Sequence, residues 1–387
     1  MSTIRFATTS AHLEEKAPGT IICGMPGSGK TFAMLVMAAN ALIMNERVIV
    51  IDPKNDFTRL YNVNKNIEII DVNNIRPGAL NPFEFLKRKD RNGTVTYVDS
   101  STIMSILQIL CGKFSDEQFN AVFPVVKDLL IESKRDGKYV DFQKLADALY
   151  SMDDQSAIAV GNQLYNYYDG EFAKLIFTRD ENVRPLVLSD DMSMVISLHG
   201  MTLPEYNKRP EDYDSNDRFT AAVVFIIATK LLQILNKRPE WDKRPVTFFC
   251  DEAHLLFSNP MMSSVINKFL SVGRSLNTAT VLASQGISKF PDDIAQYISS
   301  KFIFQSATSE AERFLKIFDT SEYDPANAIA KDIIGQIAKY PKGRCFFIDK
   351  YNRNGVIDIV SPFDPKLFSS NPLEKIDVKI NYEETEE

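Results

Sequence analysis

Residues 24–31 read Gly-Met-Pro-Gly-Ser-Gly-Lys-Thr, a spacing suited to binding phosphate. The glycines let successive backbone N–H groups turn toward one point, where they can donate hydrogen bonds to an anion. A helix that begins near Lys30 would add the positive end of its dipole. Lys30 can reach the β- and γ-phosphates of a nucleotide, and the Thr31 hydroxyl can bind Mg²⁺. The predicted nucleotide-binding residues are Gly24, Met25, Pro26, Gly27, Ser28, Gly29, Lys30, Thr31 and Phe32.

Two carboxylates follow an apolar run much later in the chain. Residues 246–250 are typical of a buried strand, and Asp251 and Glu252 come directly after them. Asp251 would complete the Mg²⁺ shell with Thr31, whereas Glu252 is placed to orient or deprotonate the attacking water. The string continues to His254 as Asp-Glu-Ala-His, which resembles a helicase motif. We discount a helicase because the separation of these carboxylates from the glycine loop is too long and other helicase signatures are not evident. His254 is either a polar residue near the site or a structural histidine.

Gln285 follows another apolar run, residues 278–283. Its amide has both donor and acceptor groups, which suits sensing a γ-phosphate or positioning water. The alternative is that Gln285 only caps the end of a strand. The sequence alone leaves both roles open.

These motifs need a scaffold that brings the ends of distant strands together. Nearly continuous aliphatic runs are typical of parallel strands buried on both faces, and ligand-binding residues lie at the carboxyl ends of such strands. We therefore predict an α/β fold with a central, mostly parallel sheet flanked by helices. The predicted strands are 20–23, 47–51, 67–71, 194–198, 246–250, 278–283, 301–305, 344–349 and 355–359.

Between the third and fourth predicted strands the hydrophobic period changes to that of helices. Residues 98–184 are predicted to form an inserted, all-helical subdomain, serving either as a platform for a substrate or partner or as a lid packed over the sheet. The nucleotide-binding domain is then formed by residues 1–97 and 185–362. Residues 363–387 are predicted to be a polar, acidic tail that frays.

Composition limits the classes of function. The 387 residues carry a formal net charge of −7, which gives no overall support to binding DNA or anionic membranes, although a local basic groove remains an alternative. The four cysteines show no metal-binding spacing, and three lie in predicted strands, as expected for core residues in a reducing compartment. The most apolar stretch, residues 221–235, is interrupted by Lys230 and looks too short to span a membrane. We expect a cytoplasmic protein, or one held at the membrane through partners.

The order of these signals resembles the ATPases of conjugation and type IV secretion. It is most similar to the motor domain of the VirB-four type, in the FtsK/HerA group of RecA-like P-loop motors. The signals are the glycine loop, Asp52-Pro53-Lys54, Asn81-Pro82-Phe83, the helical insertion, Cys250-Asp251-Glu252, Gly273-Arg274 and Ser284-Gln285. The resemblance implies a hexamer in which Gln285 senses the γ-phosphate and Arg274 reaches the nucleotide of a neighbouring subunit. Ser275 stands where many relatives have a basic residue.

The resemblance implies Mg²⁺-dependent ATP hydrolysis, with Lys30, Glu252, Arg274 and Gln285 as the catalytic set. Hydrolysis would power assembly of, or transfer through, a type IV secretion apparatus, with other channel components as partners and a location at the cytoplasmic face of the membrane. The alternatives are a DNA-pumping translocase or coupling protein and a non-hydrolysing ATP-binding scaffold. The resemblance also implies an N-terminal domain, which we do not expect within these residues. We expect self-association, as a hexamer in the full assembly, with a monomer as the alternative for this chain alone.

Overall fold

The computed structural model describes residues 19–89, 94–178, 182, 184–205, 208–238, 242, 244–257, 260–273, 275–318 and 328–368. Within this part of the chain, nine strands form one sheet and two short strands form a separate antiparallel pair. The strands are β1 (Gly19–Cys23), β2 (Arg47–Asp52), β3 (Ile67–Asp71), β4 (Arg88–Lys89), β5 (Val95–Thr96), β6 (Ser193–Ser197), β7 (Val246–Cys250), β8 (Thr278–Ser284), β9 (Ile298–Phe304), β10 (Arg344–Ile348) and β11 (Asn354–Asp358).

The strand order across the large sheet is β11-β10-β9-β1-β8-β7-β2-β6-β3. From β9 to β3 the neighbours are parallel, whereas β10 runs antiparallel to both β9 and β11. All nine predicted strands are present, and the α/β fold with a mostly parallel sheet is confirmed. The small pair β4–β5 was not predicted.

Alternate residues of the strands supply two hydrophobic clusters, one on each face of the sheet. Ile22, Val50 and Phe249 belong to one cluster, and Ile21 and Ile51 belong to the other. Every residue of β2, β6, β7, β8 and β9 is buried. Helices therefore cover both faces, as the continuous apolar runs require.

The helices are α1 (Lys30–Ile43), α2 (Pro82–Phe85), α3 (Ser100–Cys111), α4 (Asp116–Asp136), α5 (Phe142–Tyr150), α6 (Gln155–Tyr165), α7 (Ser215–Asn236), α8 (His254–Phe257), α9 (Pro260–Val272), α10 (Thr308–Phe318) and α11 (Ala328–Ile337). Short 3₁₀ helices span Phe57–Asn62, Ala173–Leu175, Pro210–Asp212, Asp292–Tyr297 and Pro365–Phe368. Helix α1 packs on one face of the sheet, whereas α3 to α7 and α9 pack on the other.

The stretch between β5 and β6 contains helices α3 to α6, each with an N-cap side chain. Asp99, Ser115, Asp141 and Asp154 accept hydrogen bonds from backbone N–H groups in the first turns. These helices share one hydrophobic cluster with α7 and the sheet. A separate subdomain bounded by residues 98 and 184 stays a prediction.

Helix α7 begins earlier than the apolar period of the sequence predicts, since that period indicates a helix from about Arg218 to Asn236. It begins at Ser215 because Asp214 and Asp217 form a capping box ahead of the apolar run. Its 22 residues have the length and composition of a membrane span, which the core helices of folded domains can also have. Of its most apolar window, 78% is buried inside the protein, as in a core helix.

The chain beyond Pro362 packs against the domain as far as residue 368. Phe368 is 5% exposed, and its carbonyl accepts a hydrogen bond from Arg59 Nη1 at 3.2 Å. Its ring meets Phe363 edge-on, with centroids 5.7 Å apart. The expected fraying is therefore wrong for these residues, because aromatic burial holds them; residues 369–387 lie outside the described part of the chain.

Candidate nucleotide site

The phosphate loop joins β1 to α1 and is held by the ends of two neighbouring strands. Gly24 N–H donates to Ser284 O at 3.3 Å, and Met25 N–H donates to Gln305 O at 2.7 Å. The tip, Met25 to Gly27, is exposed to solvent. The loop is thus fixed at its base and open at its tip, as a phosphate cradle requires.

Two groups in this loop are suited to bind an anion. Lys30 is buried, and its ammonium donates to the carbonyls of Gly24 at 2.7 Å and Met25 at 3.0 Å. Burial lowers the pKa of Lys30, while Asp251 and Glu252 act in the opposite direction. The Ser28 hydroxyl is buried and has no hydrogen-bond partner among the described residues. These groups fit a bound phosphate.

Thr31 and Asp251 meet across the sheet. Thr31 Oγ1 donates to Asp251 Oδ2 at 3.0 Å, although β8 lies between the strands that carry the two motifs. Asp251 is buried, and burial is the main cause that raises its pKa. Repulsion from Glu252 raises the pKa further. A hydroxyl and a carboxylate oxygen suit Mg²⁺, which takes few protein ligands and completes its shell with phosphate oxygens and water.

Glu252 lies beside Asp251 in a left-handed backbone conformation, with φ of 56°. One of its carboxylate oxygens forms an ion pair with Lys54 Nζ, and the other lies 3.2 Å from Nδ1 of His254. Burial alone would raise the pKa of Glu252, but the hydrogen bonds from His254 and Lys54 outweigh it and lower the pKa to about 2. Glu252 is therefore an ionised carboxylate at the edge of the nucleotide site. His254, the residue with two open interpretations, lies at the site.

A buried carboxylate shapes the turn that carries Lys54. Asp52 is fully buried at the end of β2 and accepts hydrogen bonds from the N–H groups of Lys54 and Asp56, both at 3.2 Å, and of Phe57 at 2.8 Å. Burial raises the pKa of Asp52 to about 7, against the effect of the N–H groups of Phe57 and Asp56. Sequence reasoning placed this turn at the ligand edge but assigned no role to Lys54.

Gln285 directly follows β8, the strand between the two motifs. It is half-buried beside the phosphate loop, since Ser284 is in register with Cys23 of β1. Glu310 of α10 anchors the following turn, because its carboxylate accepts hydrogen bonds from Ile287 N–H at 2.7 Å and Ser288 N–H at 3.1 Å. Sequence reasoning missed Glu310, whose partners are distant in the chain.

One further predicted residue, Phe32, lies apart from these contacts. Phe32 is half-buried, and its ring meets that of Phe368 edge-on at a centroid distance of 6.4 Å. Arg274 lies outside the described residues, so its role stays a prediction.

The sequence pattern of the family described as "AAA-like domain" matches residues 11–369. The chain belongs to this family. A curated relative, the "Uncharacterized protein YddE" of Bacillus subtilis (strain 168), is 20% identical over 361 residues. That alignment covers 90% of the chain but only 42% of the relative's length.

Two solved structures have the same fold. VirB4 of Thermoanaerobacter pseudethanolicus matches with a TM-score of 0.67 and 15% identity, over 92% of this chain and 91% of that one. The bacterial conjugative coupling protein TrwB, without its first 70 residues, matches with a TM-score of 0.58 and 13% identity, over 93% and 91% of the two chains. The resemblance inferred from the motifs is confirmed at the level of family and fold. TrwB has also been solved with ADP and Mg²⁺.

Proposed function

We propose that the chain is a Mg²⁺-dependent ATPase that powers assembly of, or transfer through, a type IV secretion or conjugation apparatus. The observation that carries the proposal is the 3.0 Å contact of Thr31 with Asp251, which joins the phosphate loop to the two carboxylates. Lys30 would bind the β- and γ-phosphates. Mg²⁺ held by Thr31 and Asp251 would neutralise charge on those phosphates.

Glu252 is the only one of these residues suited to accept a proton from water. It is ionised and lies next to Asp251, so it can orient the attacking water and take its proton. A protein that only binds ATP as a scaffold has no need of this carboxylate. The position of Glu252 therefore supports hydrolysis over the scaffold alternative.

Two substitutions test the separate roles of the phosphate clamp and the base. Lys30→Ala should abolish ATP binding, whereas Glu252→Gln should keep binding and lower the rate of hydrolysis by about 10²-fold or more. Calorimetric titration with ATP and a phosphate-release assay measure the two effects. Glu132→Gln, at an exposed glutamate of α4 paired with Lys138, is the matched control. Hydrolysis at the wild-type rate by Glu252→Gln would refute the assignment of the base.

The likeness to TrwB supports a second candidate, a coupling protein that moves DNA. The net charge of −7 gives this candidate no support. ATP turnover measured with single-stranded DNA, with double-stranded DNA and without DNA separates the two proposals. Stimulation by DNA favours the translocase, and a DNA-independent rate favours a motor that acts on protein components.

Self-association follows from the family resemblance, and we propose that Arg274 completes the site of a neighbouring subunit in a hexamer. The motor would act at the cytoplasmic face of the membrane, bound to other channel components. An arginine supplied in trans contributes about 10³- to 10⁵-fold in rate. Specific activity should therefore rise with protein concentration, and Arg274→Ala should bind ATP but hydrolyse little.

Mixing variants tests the action in trans directly. Arg274→Ala keeps its own nucleotide site, and Lys30→Ala can lend it an arginine, so the mixture should regain activity that neither variant has alone. A constant activity per subunit down to a demonstrated monomer would contradict this arrangement. Arg344 would then be the next cation to test.

A further inference from the structure

Lys54 is paired with Glu252, the proposed general base of the reaction. Its ammonium forms an ion pair with Glu252 Oε1, while the other oxygen of Glu252 faces His254. The ammonium of Lys54 offsets the negative charge of Glu252 and excludes water from Oε1. With this ion pair in place, Glu252 is a poorer proton acceptor than the proposed function requires.

The two partners of Glu252 differ in their freedom to leave. The side chain of Lys54 is 47% exposed, whereas that of His254 is 6% exposed and that of Glu252 is 4% exposed. A half-exposed lysine on a four-carbon stem can change its partner without moving the core. Lys54 is therefore the contact that can be exchanged.

The backbone beneath Lys54 is fixed close to the phosphate loop. Asp52 holds the turn through hydrogen bonds from the N–H groups of Lys54, Asp56 and Phe57. Lys54 pairs with Glu252, and the adjacent Asp251 accepts a hydrogen bond from Thr31, the residue after Lys30, so both lysines belong to the same site. An anion bound by Lys30 is thus within the field of Lys54.

We propose that Lys54 is a catalytic residue that exchanges Glu252 for the γ-phosphate of a bound nucleoside triphosphate. This inference rests on the proposed ATPase function. The terminal phosphate offers Lys54 a more highly charged anion than a carboxylate, and the exchange frees Glu252. Glu252 then takes a proton from water as the water oxygen bonds to the γ-phosphorus and the bond from that phosphorus to the bridging oxygen breaks. A diphosphate lacks this group and leaves the ion pair intact.

Binding measurements test the exchange independently of hydrolysis. Calorimetry compares ADP with adenylyl imidodiphosphate, both with Mg²⁺, for the wild type, Lys54→Met, Glu252→Gln and the double variant. Lys54→Met should weaken the triphosphate analogue about 10-fold, as expected for one lost charge-assisted hydrogen bond, and leave ADP within about twofold. Glu252→Gln should strengthen analogue binding severalfold, because Lys54 no longer has to leave a carboxylate. That gain should vanish when Lys54 is also Met.

Controls separate this exchange from a structural role. Lys54→Arg keeps the charge and should keep the preference for the triphosphate analogue, and Lys65→Met, at an exposed lysine near Tyr61, should change neither affinity. Thermal unfolding of each variant confirms that it folds. Equal losses for ADP and the analogue, or additive effects of the two substitutions, would overturn the role of Lys54. Failure of the proposed function itself would show differently, as no release of phosphate from ATP and Mg²⁺ by the wild type.

Discussion

Gly29 lets the phosphate loop pack closely against a second segment, and replacing it should lower both the stability of the fold and the affinity for nucleotide. Gly29 is the N-cap of α1 and has φ of 112°, a region that side chains rarely adopt. A Cβ atom there would lie 3.0 Å from Gly343 N and 3.2 Å from Gly343 Cα. Gly343 cannot retreat freely, because its N–H donates to Ser28 O at 2.9 Å.

The cost of Gly29→Ala has two parts. The left-handed backbone conformation costs about 1–2 kcal/mol for an L-residue. Overpacking against backbone atoms adds about 1–3 kcal/mol. A shift of the loop can relieve this strain of a few kcal/mol, but the shift would displace the N–H groups that cradle phosphate. We therefore expect a lower free energy of unfolding and ATP binding weakened by at least about tenfold, the equivalent of about 1.4 kcal/mol.

Gly137→Ala is the matched control. Gly137 ends α4 with φ of 66°, and a Cβ atom there would meet nothing within 4 Å. This variant should lose about 1–2 kcal/mol of stability from backbone strain alone and bind ATP normally. Urea unfolding and calorimetric titration measure both quantities. If Gly29→Ala bound ATP like the wild type and lost no more stability than the control, the contact with Gly343 would have no role in the site.

Three further substitutions test a helix cap, the support of the site and the packing of the chain end. Burial raises the pKa of Asp141 to about 6. Relative to Asp141→Asn, the stabilising effect of Asp141 should be full below about pH 4 and lost as pH rises through 6, by up to about 3 kcal/mol in urea unfolding. A difference in stability between the two proteins that does not change with pH would contradict the shift. Glu310→Gln removes the charge that anchors Ser288 and should slow ATP turnover while calorimetry shows normal ATP binding, whereas unchanged turnover would remove Glu310 from the site. Phe368→Ala should lower the free energy of unfolding by about 3–5 kcal/mol, and no loss in urea would mean that the contact with Phe32 does not hold the chain end.

The sheet and the two nucleotide motifs were predictable because their signals are local. A continuous apolar run such as Val246–Cys250 predicts a buried strand, and the residue types at its end predict the chemistry. In a parallel sheet the carboxyl ends of β1 and β7 lie at the same edge. The contact of Thr31 with Asp251 therefore follows from the residue types that come after these two strands. The start of α7 also has a local signal, the capping box of Asp214 and Asp217. The apolar period alone predicted a start three residues later.

The contacts that were missed depend on strand order rather than on local pattern. Lys54 follows β2 and Glu252 follows β7, and nothing in either segment shows that these strands are neighbours. The packing of Phe368 was missed for a similar reason, because widely spaced aromatic residues in a polar tail give no periodic signal. Phe368 is buried in the hydrophobic cluster that contains α1, with its ring against that of Phe32.

Strand order also gives the two loops of the site a common support. Met25 of the phosphate loop donates to the carbonyl of Gln305, which directly follows β9. The turn after Gln285 is anchored on Glu310, in the first turn of α10, only five residues further along the chain. One anchor thus lies at the end of β9 and the other in the first turn of α10. The phosphate loop and the proposed sensor are therefore supported by one short stretch of chain, residues 305–310, which the sequence alone does not place beside either loop.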